Sequence, residues 1–566
     1  MSTASTKSRH KKRAQSPRNN APGEYASESL PGELSPLTFR ISAAAILIIG
    51  AFLRLFHLVL VPLHHDEGVN GNFLVSLVRN GTYTYDPNNY HGPTLYYFSA
   101  IFAWVARFFG GVGARDAYGL TTFNIRFVTA AFGVATIGLA LLLRKRLGAI
   151  GALSAGALIA ISPGAVYLSR YFIHESLFVF FMLGIVVAAV KYYDTGAGVY
   201  MILAAISAAL MTATKETWII NAPVLLIALL TTSAYFWLRK KMTGQHISES
   251  GEDEPFLERF GGPISVATIA LVAFTIFIVV NVLFYSSFFS NYPKGVNDSL
   301  QTLALWRKRT HEHAHPWHQY IRWLLQKEIL LLVLGGIGAL IALWRAENRF
   351  ALFAAQWAFG LLAAYSLVGY KTPWIALNFI VPLALTCGYT LDVFYRKLRE
   401  FNLPLFFLAP AVLIVAFCGY QMYLLNFVYY DDDTYVYVYA HTRRETLVML
   451  DQIDQIAAQM KTGHDTGVAI VSPEYWPLPW YFRDYKRVGY YQKVVPTTEP
   501  VIIAQTGQEE EIKATYGDQY QQIDSSKLND PRILPDRNPE GSFSLRPGVD
   551  LLLYVRRDLA KPGATN

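Results

Sequence analysis

The sequence predicts a polytopic α-helical membrane protein that carries a small α/β domain at its carboxyl end. Of its 566 residues, 53% are hydrophobic and only 16% are charged, whereas a typical soluble domain carries about 25% charged residues. Many apolar stretches of about 20 residues are long enough to cross a hydrocarbon layer of ~30 Å. After residue 429 the composition becomes polar and mixed. These observations exclude an ordinary soluble enzyme.

The distribution of charge and cysteine narrows the class further. The net charge is +8, but the basic residues form short runs beside apolar segments, a pattern typical of topology determinants and not of a nucleic-acid-binding face. Cys387 and Cys418 both lie in apolar segments, which excludes a disulfide framework and a cysteine-ligated zinc site. Residues 1–37 are polar and lack the apolar core of a signal peptide, so we expect a disordered cytoplasmic tail.

Charge determines how many of the apolar segments cross the membrane. Twelve segments can be counted, at residues 40–61, 94–109, 123–143, 147–168, 175–190, 198–214, 217–238, 263–285, 323–344, 350–370, 373–394 and 404–428. If all of them crossed, the basic runs at 144–146, 239–241 and 396–399 would lie outside, against the preference of Lys and Arg for the cytoplasmic side.

Segment 94–109 is the one that fits a span least well. It is short, contains Arg107 and is rich in aromatic residues suited to the membrane interface. With this segment on the outer surface, eleven spans remain and every basic run is cytoplasmic.

This topology predicts a transmembrane domain at residues 38–428 of a cell (inner or cytoplasmic) membrane protein with a cytoplasmic amino terminus. The external segments are then 62–122, 169–174, 215–216, 286–322, 371–372 and 429–566. The last of these forms a periplasmic or extracellular domain. Within it, HTRRETLVMLDQIDQIAAQM has helical periodicity, and GVAIVS, PVIIAQ and VDLLLYVRR read as buried strands. No glycine-rich phosphate loop follows a strand, so nucleotide binding is not inferred.

The first external loop carries the most informative polar group. His64, His65, Asp66 and Glu67 follow the first span directly and precede an amphipathic segment that ends at Asn80-Gly81. Two interpretations remain open. The acidic pair lies at the level of the lipid headgroups and is functional, or Asp66 merely caps a helix, because carboxylates are stabilised by the N–H groups at a helix start.

Three further junctions on the same side carry charged or polar groups: Arg170 with His174-Glu175, Lys215-Glu216, and Tyr370-Lys371. Each could be a residue at the membrane rim or part of a local ion pair, but charged groups at membrane depth are costly and are often functional. A tract that includes His311, His313, His315 and His318 resembles a metal site. Alternate spacing does not place three imidazoles on one helix face, so headgroup contacts and a solvated loop stay open as well.

This arrangement suits transfer of a sugar from a polyprenyl phosphate to an acceptor hydroxyl. The departing phosphate needs cations, which Lys215, Arg170 and Lys371 would provide. One carboxylate, Asp66, would accept the proton of the acceptor, and a single base with cations behind the leaving group suits inversion. We add the flanking groups to the donor-binding candidates: His65, His174, Glu216 and Tyr370. A divalent metal stays open, since Asp66 and Glu67 could supply oxygen ligands.

The DE pair, the HGP turn at His91-Gly92-Pro93, the eleven spans and the terminal domain resemble the C-type membrane glycosyltransferases, in particular the protein O-mannosyltransferase and aminoarabinose-transferase-like families. More narrowly, HHDEGVNG, YHGPTLYY, SRYFIHES, ATKETW, YPKGV, YKTPW and SPEYWPLPWYFRDY resemble the prokaryotic flippase-activity-associated proteins, over residues 40–495. The resemblance implies Asp66 as base with Glu67 beside it. It also implies a donor-site role for His91, although Gly92 replaces a proline of the mannosyltransferase motif.

The leading hypothesis is a membrane glycosyltransferase whose partners are a polyprenyl-phosphate-linked sugar and an acceptor glycan, lipid or protein. A flippase for lipid-linked saccharides, or a non-catalytic component associated with one, is the alternative; no internal repeat of the kind common in transporters is visible. A third hypothesis is an assembly or sensor protein that acts through its terminal domain. There, residues 472–485 would either stack on carbohydrate or contact the membrane part.

Overall fold

The computed structural model describes residues 34–89, 91–110, 118–243, 260–308, 313–538 and 541–559. The chain forms a bundle of apolar helices with an α/β domain on one end of it. Most of the tail predicted at residues 1–37 lies outside the described residues, and its last two residues begin the first helix, where Ser35 caps the N-terminus and Pro36 occupies the first turn.

The helices below are those in the described residues, labelled in chain order. They are α1 (Pro36–Leu55), α2 (His65–Asn80), α3 (Thr94–Phe109), α4 (Thr122–Leu141), α5 (Arg144–Leu147), α6 (Ala149–Ile161), α7 (Pro163–Ser169), α8 (Glu175–Thr195), α9 (Gly198–Thr212), α10 (Trp218–Thr243), α11 (Gly262–Tyr285), α12 (Lys294–Lys308), α13 (Gln319–Lys327), α14 (Ile329–Arg345), α15 (Arg349–Leu367), α16 (Leu377–Glu400), α17 (Leu408–Tyr423), α18 (Glu445–Gln459), α19 (Leu478–Tyr481) and α20 (Glu509–Tyr516).

The number of helices that can cross a membrane is close to the predicted eleven. Eight are long and apolar enough to do so: α1, α4, α8, α10, α11, α15, α16 and α17. Two bent pairs, α6 with α7 and α13 with α14, pass the same test together. The short apolar helix α9 packs between α8 and α11 and corresponds to the predicted span 198–214. By length and composition, the described residues therefore hold eight to ten helices that can cross a membrane, which is roughly consistent with the predicted eleven. Helix α9, like α3, is shorter than these.

The span predicted at residues 323–344 differs in detail, because α13 and α14 meet at 110°. Helix α14, Ile329–Arg345, is the apolar part that can cross, while α13 carries Gln, Arg and Lys side chains and turns aside. At the corner, the buried carboxylate of Glu328 accepts hydrogen bonds from Ser162 Oγ at 2.8 Å and from the Gly164 N–H at 2.8 Å. These hydrogen bonds therefore join the corner between α13 and α14 to the break between α6 and α7.

The first external loop folds into two helices that lie side by side, α2 and α3. Helix α2 ends at Asn80, as Asn80-Gly81 predicted, and Gly81 caps it in the left-handed conformation with a φ of 69°. Helix α3 has the bounds of segment 94–109. Its 16 residues rise about 24 Å, which is short for a span.

The carboxyl-terminal domain is built on a mixed sheet of β1 (Val468–Ile470), β2 (Val488–Tyr490), β3 (Val501–Gln505), β4 (Tyr520–Ile523), β5 (Phe543–Arg546) and β6 (Val549–Arg556). The strand order is β2-β1-β3-β6-β4, with β5 also paired to β6. Strand β1 is parallel to β2 and β3, and β6 is antiparallel to its partners. The three predicted strands are β1, β3 and β6, and the predicted helix is α18.

The aromatic segment 472–485 attaches this domain to α2. A Cβ on Gly68 would lie 2.6 Å from Pro477 Cβ, and a Cβ on Gly71 would lie 2.5 Å from the Trp480 ring, so the two glycines admit these side chains to the helix surface. Tyr481 OH accepts a hydrogen bond from the Leu63 N–H at 2.8 Å. Of the two interpretations of this segment, the structure favours contact with the membrane part for most of its length.

Candidate functional site

A cavity of about 410 Å³ lies at the end of the bundle that carries the terminal domain. Five of the six predicted external segments contribute to its wall, and Tyr370 and Trp374, which flank the sixth, lie on it too. The lining residues include His65, Asp66, Asn88, Asn89, His91, His174, Glu175, Lys215, Glu216, His313, Tyr370, Trp374, Tyr439 and Arg546. The helix junctions that the positions of Lys and Arg assigned to one side of the membrane therefore lie at one end of the bundle.

Asp66 projects into this cavity from the first turn of α2. The cap of the helix is His64, not Asp66, because His64 Nδ1 accepts a hydrogen bond from the Asp66 N–H at 3.0 Å. The Asp66 side chain is 42% exposed, and among the described residues none donates a hydrogen bond to its carboxylate. The dipole at the start of α2 stabilises the negative charge. The carboxylate is therefore available to a ligand.

His64 fixes this geometry as a neutral imidazole. Its Nδ1 accepts from the Asp66 N–H, while its Nε2 lies 3.1 Å from the Tyr439 carbonyl oxygen and must donate to it. Burial lowers the pKa of His64 and also that of His65, since a charged ring is costly away from water. The predicted donor-binding residue His65 lies on the cavity wall, 6.0 Å between ring centres from Trp476.

Glu67, predicted beside Asp66 as a catalytic residue, turns away from the cavity and is fully buried. Its two oxygens bond Arg126 Nε at 2.7 Å and Nη2 at 2.6 Å, and they accept the N–H groups of Phe172 at 2.7 Å and His64 at 2.9 Å. The remaining donors of Arg126 reach carbonyls at residues 58, 61 and 62. In this geometry Glu67 holds the start of α2 against α4 and does not face the cavity.

Lys215 and Glu175 form an ion pair on the cavity wall, with side chains 6% and 3% exposed. The pair joins the start of α8 to the junction between α9 and α10. Separating a buried pair leaves a charge without compensation and typically costs about 3–5 kcal/mol. Lys215 therefore presents positive charge that is already largely balanced by Glu175.

A second pair stands beside the first, where His91 Nδ1 lies 3.0 Å from Glu216 Oε2. Burial raises the pKa of Glu216, but His91 and Lys215 outweigh it and the pKa is lowered overall. His174 Nε2 donates to the Gly92 carbonyl oxygen at 3.1 Å. Burial, and then the neighbouring His91 and Lys215, hold the pKa of His174 well below its ordinary value. His174 is thus a neutral donor in this cluster.

The HGP turn explains how His91 reaches Glu216. The Gly92 N–H donates to the Thr214 carbonyl at 3.0 Å, a bond that proline could not make. A Cβ on Gly92 would lie 2.0 Å from the Ala213 carbonyl oxygen. Glycine in place of the proline of the mannosyltransferase motif therefore lets this turn pack directly on the α9–α10 junction. Residue 90, just before it, lies outside the described residues.

Two of the predicted phosphate cations do not reach the cavity. Arg170 donates to the carbonyls of Leu53, Arg54, Phe56 and His57 at 2.6–3.3 Å and so closes the carboxyl end of α1. The Lys371 ammonium is buried and donates to the Val368 carbonyl. The structure thus separates both from the wall, although Tyr370 lies on it.

The histidine tract is only partly within the described residues, because His311 is outside them. His313 lines the cavity and its Nδ1 lies 2.8 Å from Tyr439 OH. In the described part of the chain, no three His, Cys, Asp or Glu side chains come together so that they could hold a metal ion. The metal candidates Asp66, Glu67, His313 and His315 accordingly form no common set there.

Sequence reasoning missed Arg546, which the terminal domain places on the cavity wall. Its strand, FSLR, is followed by Pro547-Gly548 and by the predicted strand β6, a hairpin signal that could have placed it on an edge. Nothing in the local sequence links it to residues more than 400 positions earlier.

Comparisons with known proteins bear on the family and the fold of the chain. A profile of the family described as dolichyl-phosphate-mannose-protein mannosyltransferase matches residues 98–245, a range that includes His174, Lys215 and Glu216. No curated protein sequence matches the chain.

Among solved structures, the fold is similar to ArnT from Cupriavidus metallidurans bound to undecaprenyl phosphate, with a TM-score of 0.57, 14% identity and coverage of 93% of this chain and 99% of that one. It is also similar to the archaeal oligosaccharyltransferase AglB from Archaeoglobus fulgidus in complex with an inhibitory peptide and a dolichol-phosphate. For that structure the TM-score is 0.50, the identity 15% and the coverage 83% of this chain and 70% of that one. The chain therefore has the fold of the C-type membrane glycosyltransferases, as its motifs predicted.

Proposed function

We propose that the chain is a membrane glycosyltransferase that moves a sugar from a polyprenyl-phosphate carrier to a hydroxyl group of an acceptor glycan, lipid or protein. The observation that carries this proposal is the Asp66 carboxylate, exposed in a cavity at the end of a helix bundle of glycosyltransferase fold. The structures of similar fold support the class of donor, because one is bound to undecaprenyl phosphate and another to a dolichol-phosphate.

In the proposed reaction the acceptor oxygen attacks the anomeric carbon of the donor sugar while Asp66 accepts the hydroxyl proton. The bond between the anomeric carbon and the phosphate oxygen breaks, and both electrons leave with the polyprenyl phosphate. A single carboxylate acts as base and not as nucleophile, so the reaction is a single displacement. Because the acceptor attacks from the face opposite the phosphate, the anomeric centre is inverted. Positive charge on the cavity wall stabilises the phosphate as it departs.

The test uses the purified full-length protein in lipid nanodiscs with Asp66→Asn. The donors are undecaprenyl-phosphate-linked mannose and glucose labelled with carbon-14, and the acceptor is a membrane extract from cells that lack the protein. Loss of the base is expected to lower transfer by about 10²- to 10⁴-fold, with the protein still folded. Asp518→Asn, an exposed aspartate of the terminal domain, is the matched control. Transfer by Asp66→Asn at the wild-type rate would reject Asp66 as base.

The alternative, translocation of a lipid-linked saccharide, is separated by the same protein in liposomes. A transferase moves label from donor to acceptor when both are on the side of the cavity. Movement of intact labelled donor between leaflets, with no label in the acceptor fraction, would support translocation instead.

A further inference from the structure

The proposed reaction needs a cation that can approach the donor phosphate, and the described cavity offers few. Arg170 and Lys371 donate to backbone carbonyls and do not line the cavity. Lys215 is on the wall but is bonded to Glu175, whose carboxylate is 3% exposed. A phosphate that drew Lys215 away would leave that carboxylate buried without its partner. Lys215 can thus contribute positive electrostatic potential to the cavity, but exchanging the Glu175 carboxylate for a phosphate would be costly.

Arg546 differs from Lys215 in this respect. Among the Lys and Arg side chains that the structure describes, it is the other one on the cavity wall. Its guanidinium donates to the carboxylate of Glu474 and, at 3.4 Å, to the Trp476 carbonyl. The Glu474 side chain is 49% exposed, so water can solvate this carboxylate when the guanidinium leaves it. Exchange of the partner of Arg546 therefore costs far less than exchange of the partner of Lys215.

The local backbone aims Arg546 at the cavity. It is the last residue of β5, where the pairing with β6 is irregular between Ser544 and Arg546. Such bulges bend a strand and redirect a side chain, and they are common beside active sites. Arg546 donates to the carbonyl of Trp476, and the ring of Trp476 lies 6.0 Å from the ring of His65 in the first turn of α2. Arg546 therefore stands close to the first turn of α2, from which Asp66 projects.

We propose that Arg546, supplied by the carboxyl-terminal domain, binds the phosphate of the polyprenyl carrier by exchanging the Glu474 carboxylate for phosphate oxygens. This inference rests on the proposed function. The planar guanidinium can donate two parallel hydrogen bonds to a phosphate. The terminal domain then completes the donor site, and an intact donor site requires the domain to be docked on α2.

The test measures binding of two probe lipids, undecaprenyl phosphate and undecaprenol, to the purified full-length protein by native mass spectrometry. Arg546→Gln is expected to weaken binding of undecaprenyl phosphate by roughly tenfold to a hundredfold and to leave undecaprenol unchanged. Arg546→Lys, which keeps the charge without the fork, is expected to bind at an intermediate level. Glu474→Gln, which removes the competing carboxylate, is expected to bind undecaprenyl phosphate at least as tightly as the wild type.

The matched control is Arg487→Gln, because Arg487 belongs to an exposed pair with Glu499 on the same domain and is not on the cavity wall. It is expected to bind both lipids as the wild type does. Wild-type preference for undecaprenyl phosphate in Arg546→Gln would overturn the inference. So would an equal loss of both lipids, since that indicates a structural role. If the wild type itself does not prefer undecaprenyl phosphate to undecaprenol, the proposed function fails, which is a separate result.

Discussion

Asp66 and Glu67 are neighbours in the sequence, but the helix places them in different surroundings. Successive residues on an α-helix point about 100° apart, so one carboxylate faces the cavity and the other faces the interior. Glu67 completes a capping box with His64 and neutralises Arg126, which is itself buried. The acidic pair therefore divides into one residue that faces the cavity, the proposed base, and one that holds the structure.

This division predicts opposite effects of two conservative substitutions. Glu67→Gln leaves Arg126 as a buried charge without an anion, and removing one partner of such a pair typically costs about 3–5 kcal/mol. We expect its apparent melting temperature in detergent to fall well below that of the wild type. Asp66→Asn, at an exposed carboxylate, should melt with the wild type while transfer is lost. Equal melting of Glu67→Gln and the wild type would contradict the structural role.

Sequence reasoning could find the DE pair but could not assign its members. The hydrophobic pattern locates the end of α1 and the start of α2, which places Asp66 and Glu67 at the rim. Which carboxylate is buried depends on Arg126, in a different helix, and on the way α2 packs against α4. The same limit applies to Arg170 and Lys371, because sequence gives their side of the membrane but not the carbonyls to which they donate.

The break between α6 and α7 shows how one element is held in an unusual conformation. Pro163 has no N–H to donate to the Ile159 carbonyl, and the Gly164 N–H donates to Glu328 instead of the Ala160 carbonyl. Arg54, from the buried side of α1, donates to both carbonyls, at 2.9 Å to Ile159 and 3.1 Å to Ala160. The Arg54 guanidinium thus satisfies the carboxyl end of α6, and the Glu328 carboxyl group satisfies the amino end of α7, so that these backbone groups have partners inside the apolar bundle.

This arrangement predicts that Arg54 is essential to the bend of 59° between α6 and α7. Arg54→Met keeps much of the side-chain volume but leaves both carbonyls without a donor inside an apolar bundle, and each unsatisfied group costs about 1–3 kcal/mol. We expect a marked fall in apparent melting temperature in detergent. The matched control is Arg40→Met, because Arg40 is an exposed residue of the same helix. If Arg54→Met and Arg40→Met melt together, water or another group must satisfy these carbonyls.

At the level of elements, apolar length and helical periodicity predicted most of the described helices, and short apolar runs predicted half of the described strands. Strands β1, β3 and β6 have continuous apolar runs. The missed strands are short or carry polar side chains, as in Tyr520–Ile523 with its two glutamines and Phe543–Arg546. Strands β4 and β5 are specified by pairing with β6, and β2 by pairing with β1, contacts that sequence spacing does not reveal.

At the scale of the whole molecule, the terminal domain is held against the first external loop by several independent contacts. Besides the aromatic packing on Gly68 and Gly71, Arg79 pairs with Asp484, and Arg483 donates to the Leu120 carbonyl at 2.7 Å. This docking brings Tyr439 and Arg546 to the cavity. An assembly or sensor role would not require that a residue of the terminal domain share a wall with Asp66, so the observed placement favours a domain that takes part in substrate binding.

The arrangement of charge over the whole bundle predicts its orientation in the membrane. Asn348 Nδ2 donates to the Arg146 carbonyl at 2.7 Å, and Arg239 donates to the Trp344 carbonyl at 3.1 Å. Two of the basic runs therefore meet at the end of the bundle opposite the cavity. Since Lys and Arg in short loops favour the cytoplasm, the cavity and the terminal domain should face outward.

Labelling of single cysteines in intact cells measures this orientation. In a background with Cys387→Ala and Cys418→Ala, a membrane-impermeant maleimide is expected to label Lys486→Cys on the terminal domain and to spare Glu400→Cys, at the end of α16. Both parent side chains are exposed, at 72% and 63%, so permeabilised cells should label at both positions and control for access. Because Asp66 and Lys486 lie on the same side of the bundle as the cavity, labelling of Glu400→Cys alone in intact cells would place the cavity in the cytoplasm. The orientation inferred from the basic runs would then be wrong, and the donor would have to present its sugar on the inner leaflet.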